Sequence, residues 1–411
     1  MMSRHFMLAL QDDKNRFKAI QALYWGGYIL YYVYYVYYLN TVRGFRSSEI
    51  GALVSITAFV TLISQGFWGY VCDRFRNIKA VVMLLYLCTT VLISIFPLFS
   101  HFVTIGLTMA LIAFFEPPIP VIVDSWIARY LEEKPQLNYT GIRLWGSLSV
   151  ALVSVVIGRI ALWNVSYVFH LYILFGLLSI FICSQVDFSA HYKEKEPKIR
   201  ESLPLLLKNH EYVVFVISAT LIMTAFRSAS LFLPNKVIEV GGNQGHISLT
   251  WTISVMSEIP VLLLGKKWIK RFKSLSLFIF SYCMFGMRIL LYYLGTNVYM
   301  VLLSNAFNGV SFGIFLSVVV IYINRIAPER IKTSAFTLAA ACYNSASVII
   351  GSSLGGFILD KHGLDKVYIT GLIMNLAGIL LLSGYNIFKG SGRQNRDLFR
   401  RYVATGSSSQ Q

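Results

Sequence analysis

The chain has 411 residues, of which 56% are hydrophobic and 13% charged. Soluble domains carry about 25% charged residues, so one or two water-soluble domains are excluded and a polytopic membrane protein is indicated. The net charge of +17 does not point to nucleic acid. The Lys and Arg residues cluster in short loops between apolar runs, where positive charge acts as an orientation signal.

The N-terminal MMSRHFMLALQDDKNRFK is polar, of mixed charge, and lacks the apolar core of a cleavable signal peptide. A helical span needs about 20 mostly apolar residues, and twelve stretches qualify. Six lie near 18–40, 50–71, 78–99, 102–126, 142–162 and 166–186. The polar segment 187–210 follows, carrying HYKEKEPKIRESL. Six more lie near 211–234, 247–268, 274–295, 298–324, 333–358 and 367–388. The expected architecture is all-α: residues 1–186 and 211–388 as two pseudo-symmetric six-helix bundles, 187–210 as linker, 389–411 as tail. Basic residues mark one side, from Lys14, Arg16 and Lys18 through Arg74, Arg76 and Lys79 to the tail residues Arg393, Arg396 and Arg400. Both termini and the linker are therefore expected in the cytoplasm, beneath a plasma membrane. The final GSSSQQ reads as a disordered end.

Span one is tyrosine-rich, YWGGYILYYVYYVYYLN. Helical spacing puts Tyr24, Tyr28, Tyr31 and Tyr35 on one face. Such rings stack on sugars or aromatic solutes, or else pack and form an interfacial belt. After span two comes Gly69-Tyr-Val-Cys-Asp73-Arg74-Phe-Arg76. Gly69 permits close helix approach, and Asp73 is placed to accept from backbone N–H groups or a neighbouring Arg. Glu116 lies mid-span four beside Pro117 and Pro118, which free backbone carbonyls. Asp124 ends that span and Arg143 begins the next. Hairpin-connected helices are antiparallel neighbours, so the two side chains can meet, either steadying the hairpin or serving solute binding and gating. Arg159 sits near the far end of span five and is expected to snorkel. His170 reads as a core histidine.

The second half carries Arg227 in span seven, Glu258 in span eight and Arg288 in span nine. A charge at mid-bilayer costs at least about 2.5–3.5 kcal/mol on insertion scales. Chains that keep several normally use them along a wet path. Arg227 either attracts an anionic solute or pairs with Asp124, Glu116 or Glu258. In span ten, Asn305, Asn308 and Ser311 share a face. The small-residue run Gly351-Ser-Ser-Leu-Gly355-Gly356 suits tight helix packing. Cys72, Cys88, Cys183, Cys283 and Cys342 show no metal-ligand spacing and read as small buried side chains.

The Gly69–Lys79 loop, in a six-plus-six chain, resembles the signature loop of the major facilitator superfamily. The family often has a second glycine where Arg76 stands, and the equivalent Gly265-Lys-Lys-Trp-Ile-Lys-Arg junction lacks the aspartate. Arg143-Leu-Trp-Gly-Ser, with an upstream acid, resembles the proton-linked oligosaccharide and nucleoside symporters, the neighbourhood of lactose and phenylpropionate permeases. This resemblance implies the two-bundle major facilitator fold. It places solute binding at Asp124 and Arg143, and proton coupling at Glu258 and Arg288. One departure stands in span ten, where lactose permease carries a lysine, a histidine and a glutamate. Asn305, Asn308 and Ser311 cannot carry a proton at neutral pH, which leaves Glu258 as the best carrier.

No phosphate-binding loop, metal cluster or nucleophile elbow appears, so ATP, a cofactor and enzymatic chemistry are not expected. The expected function is proton-coupled uptake of a sugar, nucleoside or aromatic acid by a monomer. Tyr28, Tyr31, Tyr35, Glu116, Arg227, Asn305 and Asn308 would shape the pocket. Gly69, Asp73 and Arg74 would form a gating loop. The alternatives are an efflux antiporter and a non-transporting sensor.

Overall fold

The structure is a computed structural model and describes residues 12–75, 77–134, 136–137, 139–188, 205–327 and 332–406. Most of the polar segment expected to link the bundles, and the GSSSQQ end, lie outside the described residues.

Among the described residues, ten helices are long and apolar enough to cross a membrane by length and composition. They are Ser47–Cys72, Ile78–Leu98, Phe102–Glu133, Gly141–Trp163, Val165–Gln185, His210–Leu231, Ser274–Leu294, Val298–Ile326, Ala335–His362 and Leu364–Ile387. These correspond to spans two to seven and nine to twelve of the sequence. Spans one and eight are helical too, over Asp13–Tyr32 and Gln244–Arg271. Span one is too polar for that criterion, because it spends its length on tyrosine and glycine.

Apolar side chains segregate as a bilayer requires. Phe59, Leu152, Trp163, Ile373 and Ile387 are among many exposed on the outside of the helices. Inside, one cluster belongs to the first bundle, with Phe17, Tyr86 and Trp126. A second belongs to the other bundle, with Phe215, Phe278 and Tyr322. A third holds residues of both, Tyr34, Tyr38 and Ile157 with Ala225, Phe232 and Tyr292.

That shared cluster lies in the half of the molecule away from Asp12. Hydrogen bonds crossing between the bundles accompany it. Tyr34 Oη donates to the Gln244 carbonyl at 2.8 Å, and Gln244 Nε2 to Tyr37 Oη at 2.7 Å. Asp360 accepts from the backbone N–H groups of Ser47 and Ser48 at 2.9 and 2.7 Å, capping span two from the opposite bundle. Backbones approach closely here. Gly158 abuts Gly245 and Ser248, and a Cβ on Gly356 would run into the Ser47 carbonyl. The run Gly351–Gly356 thus serves packing.

Several helices are broken. Span four is interrupted at Glu116–Pro117. Proline has no N–H, so the carbonyls four residues before Pro117 and Pro118 lose their helical donors. Those carbonyls are Ala113 and Phe114. Span two supplies replacements: Thr61 Oγ1 donates to Ala113 at 3.4 Å, and Ser64 Oγ and Trp68 Nε1 to Phe114 at 2.5 and 3.0 Å. Spans ten and eleven contain π-turns at Gly309–Gly313 and Ala341–Ala346.

At the opposite end, Arg16 binds Asp13 at 2.7 Å and Asp187 at 2.6 Å. The Asp13 carboxylate in turn accepts from the backbone N–H groups of Asp187 and Phe188. The hydrogen bond from Arg16 holds the Asp187 carboxyl below the usual carboxylate range. This clasp fastens the exit of span six to the start of span one.

Candidate functional site

Span one presents Trp25, Tyr28, Tyr32 and Tyr35, each only partly buried, along one face. The Tyr28 and Tyr32 rings stack at 4.0 Å between centroids, and Tyr28 reaches Trp251 of the other bundle at 6.4 Å. The expected face is corrected by about one residue. Tyr24 and Tyr31 are 4% and 3% exposed. Tyr31 packs edge-on to Phe96 and Phe169 inside its own bundle, though its ring also stacks on Tyr35 at 5.3 Å. Two apolar partners on spans three and six draw that tyrosine inward, and Tyr32 takes the open position.

Asp124 and Arg143 do not form the expected ion pair; a relay of side chains stands between them. Asp124 Oδ1 accepts from Gln21 Nε2 at 2.7 Å, and Gln21 Oε1 accepts from Trp25 Nε1 at 3.0 Å. The Arg143 guanidinium lies 4.2 Å from the Trp25 ring, a cation–π contact. Arg143 remains within electrostatic reach of Asp124 and also of Glu258 on the facing bundle. It thus lies within electrostatic reach of an acid from each half.

Glu258 and Arg288 also fail to pair. Arg288 is 4% exposed. It donates to Tyr292 Oη at 2.7 Å, Asn308 Oδ1 at 2.6 Å and Asn305 Oδ1 at 2.7 Å. A guanidinium has five N–H donors in a fixed fork, and three neutral acceptors close around it here. Asn305 and Asn308, expected to line the pocket, are 0% and 9% exposed. They hold Arg288 inside the second bundle instead. Glu258 lies against the π-turn of span ten, beside Gly309 and Gly313.

A buried acid and a partly buried arginine have unusual company. Glu116 is 1% exposed and accepts from Tyr24 Oη at 2.5 Å and Tyr32 Oη at 3.1 Å. Among the described residues it has no ion pair. Arg227 has neither an ion pair nor a hydrogen bond among them, and its Nε is sealed from solvent without a partner. The pairs considered for it with Asp124, Glu116 or Glu258 are not formed. Its nearest ring contact is Phe226, 5.8 Å away, and it acts electrostatically on Tyr28 and Tyr35.

In the expected gating loop, nothing among the described residues lies within 4 Å of a Cβ built on Gly69, so it makes no close approach to a described helix. Arg74 is exposed, and the Asp73 side chain lies outside the described residues. Sequence reasoning missed Gln21, Trp25, Tyr32 and Tyr292. The available signal for Gln21 was an amide in an apolar run, one turn before Trp25.

Residues 17–370 match the MFS_1-like family. The chain belongs to that family. It is 24% identical over 353 residues to the uncharacterized transporter YwbF of Bacillus subtilis, covering 85% of this chain and 86% of that one. It is 25% identical over 346 residues to the maltose permease of Geobacillus stearothermophilus, with 82% and 85% covered. A putative nucleoside transporter of Escherichia coli, YegT, is 22% identical over 363 residues, with 82% of each chain covered. The solved structure of the nucleoside transporter NupG superposes with a TM-score of 0.77 at 15% identity, covering 92% of this chain and 99% of that one. Family and fold make this major facilitator protein a multi-pass membrane transporter, built around an interface where polar side chains of two bundles face each other.

Proposed function

We propose that this transporter carries a small ring-bearing polar solute, of the sugar, nucleoside or aromatic-acid class, into the cell together with protons. The supporting observation is that Arg143 of the first bundle lies within electrostatic reach of Glu258 of the second, with no ion pair at either among the described residues. A partner that must be shared between two bundles is suited to a site remade in each half-cycle, as rocking of one repeat against the other requires. Asp124, Gln21, Trp25 and Arg143 form the solute-contacting half on the first bundle. Tyr28, Tyr32 and Tyr35 supply ring faces. Glu258 is the proton carrier, its neighbouring cation being Arg143 in place of Arg288.

The domain plan is two bundles, 1–186 and 211–388, joined by the linker 187–210 and followed by the tail 389–411. The protein works as a monomer in the plasma membrane with both termini cytoplasmic. The bundles meet in the half away from Asp12, which on this topology is a closed outer side. The relatives named a maltose permease and a putative nucleoside transporter favour sugars and nucleosides as first probes.

The test is uptake of labelled maltose and uridine into liposomes under an inward proton gradient. Accumulation that collapses with a protonophore is expected. Glu258→Gln should abolish accumulation while leaving solute exchange at equilibrium. Proton-driven accumulation by Glu258→Gln equal to the parent would remove Glu258 from the mechanism.

A further inference from the structure

Glu116 is closed in at the break of span four with a phenol on each oxygen. Tyr24 Oη donates to Oε1 at 2.5 Å and Tyr32 Oη to Oε2 at 3.1 Å. The residue is 1% exposed, and among the described residues no cation lies within ion-pair distance of it. A buried carboxylate without a counter-ion costs several kcal/mol. Beside it lies a cavity of about 30 Å³. Tyr31, Tyr32 and Tyr35 of span one, Thr57 of span two, and Ile112 and Ala113 of span four line it. A water needs roughly 10–15 Å³ and at least two polar partners, so the cavity has room for one or two. Its lining supplies partners. The Tyr31 and Tyr35 hydroxyls form no hydrogen bond among the described residues. Thr57 Oγ1 donates to the Val54 carbonyl at 2.8 Å and is free to accept. Ile112 and Ala113 stand one turn from Glu116, on the side away from Asp12. Tyr32 thus borders the cavity and bonds the carboxyl.

We propose that Glu116 is a second proton-binding site, loaded from water in this cavity through the hydroxyl of Tyr32. It is separate from the proton carrier placed at Glu258 in the other bundle and does not depend on that assignment. In the loading step a hydronium in the cavity gives a proton to Tyr32 Oη as the phenolic hydrogen passes to Glu116 Oε2. An O–H bond breaks at the hydronium and forms at Tyr32 Oη; another breaks at Tyr32 Oη and forms at Oε2. Water, a phenol and a neutral acid result. Both charge states keep their hydrogen bonds. The carboxylate accepts from two phenols. The neutral acid accepts from Tyr24 and donates its own O–H to Tyr32 Oη, whose hydrogen then points to the cavity water. A carboxyl satisfied in either state can titrate while its surroundings stay packed. The Tyr32 ring stacks on Tyr28 at 4.0 Å, and Tyr28 lies 6.4 Å from Trp251. The hand-over therefore takes place at the ring pair that faces the second bundle.

The surroundings hold no competing titrating group. Those facing Glu116 are Tyr24, Tyr28, Tyr31 and Tyr32 on span one, Tyr86 on span three and Tyr172 on span six. Phenols are neutral through the physiological range. Span two faces the break with Thr61, Ser64 and Trp68, none of which titrates. Asp124, two turns further along span four, is held by Gln21, and Arg143 of span five acts on Asp124 and Glu258.

The test is infrared difference spectroscopy of the purified full chain, titrated from about pH 4 to 8 across the carboxyl range. A carbonyl band of a protonated carboxyl should grow on acidification. It should vanish in Glu116→Gln and persist in Glu258→Gln. Tyr32→Phe should shift the band and, after a rapid pH jump, slow its growth about tenfold, the equivalent of one lost hydrogen bond of about 1.4 kcal/mol. Thr57→Val, which keeps the shape and removes the hydroxyl, should slow growth without shifting the band. A band that survives in Glu116→Gln, or no band in the parent, would overturn the proposal. Should Glu116→Gln not fold, an unshifted band growing at the parent's rate in Tyr32→Phe would overturn it equally. Loss of proton-driven flux in Glu258→Gln with this band intact bears on Glu258 and leaves Glu116 as assigned.

Discussion

Arg288 is the residue whose structural and functional readings differ most, and Arg288→Lys separates them. The guanidinium makes three bonds, to Tyr292, Asn308 and Asn305. A lysine keeps the charge but is a compact point donor without the fork, and reaches at best one of those acceptors well. The acceptors are not equally dependent on Arg288. Asn305 Oδ1 also accepts from Tyr292 Oη at 2.9 Å and Ser254 Oγ at 3.3 Å. The bond to Asn308 Oδ1 has no such substitute among the described residues. A hydrogen bond to a charged group contributes about 1.5–3 kcal/mol. The expected loss is therefore roughly 2–3 kcal/mol, set by the Asn308 bond and partial loss of the Tyr292 bond.

Reversible unfolding in mixed detergent micelles measures that loss. A double-mutant cycle with Glu258→Gln then tests the geometry. Residues that do not share partners add within about 0.3–0.5 kcal/mol, whereas contacting charges couple by roughly 0.5–3 kcal/mol. Additivity is expected. A coupling above about 1 kcal/mol, or an Arg288→Lys variant as stable as the parent, would mean that Arg288 pairs with Glu258 after all.

Three further outcomes are expected. A methyl group on Gly309 would collide with the Ser257 carbonyl and the Glu258 backbone, so Gly309→Ala should destabilise by about 1–3 kcal/mol through overpacking, read as a lowered melting temperature and reduced flux. Asp360→Ala removes the cap that spans the bundles at Ser47 and Ser48. The loss of about 1 kcal/mol for a cap should raise the outward-open population about fivefold, measured as faster alkylation of a cysteine placed at Ser352, which is 2% exposed. Asp187 has its folded-state pKa lowered by Arg16. Its stabilising contribution is therefore complete above the unfolded value near 3.9 and fades only as pH falls through the lower folded value. Asp187→Asn should leave the shape of the flux–pH profile between pH 5 and 8 unchanged, and a changed shape would place part of the proton linkage at the clasp.

The positions of the spans were legible because a bilayer imposes a length and a composition on each helix. Span one qualified as a mostly apolar stretch only with its tyrosines counted as apolar; on a hydropathy scale they make it too polar. Which face of that helix opens toward the other bundle was not legible. Tyr31 and Tyr32 differ by one helical step, and the choice between them is made by Phe96 and Phe169, far away in sequence. The charged pairs failed for a similar reason. Sequence shows which groups are ionic and which helices are adjacent, but not that Gln21 and Trp25 of a third helix slip between Asp124 and Arg143. For Arg227 the sequence left a pair with Asp124, Glu116 or Glu258 open, and none of these is formed among the described residues.

The irregular turns and the polar residues of this transporter coincide, and one physical cause accounts for both. A straight helix in hydrocarbon satisfies every backbone group internally and fixes its side chains at constant angular steps. Breaking it costs backbone bonds, so a break persists only where other groups replace them. Glu116 sits at the break in span four, whose freed carbonyls are taken up by Thr61, Ser64 and Trp68. Asn308 immediately precedes the π-turn of span ten, whose Gly309 N–H donates to Ser257 Oγ at 2.9 Å. Tyr32 ends the regular part of span one. In each case the helix departs from its ladder next to a side chain that is aimed at a polar partner. Bonds to a neighbouring span replace those lost in spans four and ten. Those two spans are thereby tied to spans two and eight at the depth of the candidate site. Under the function proposed above, a change of proton occupancy at Glu258, which lies beside the π-turn of span ten, would act on such a junction, where movement of one span must displace its neighbour.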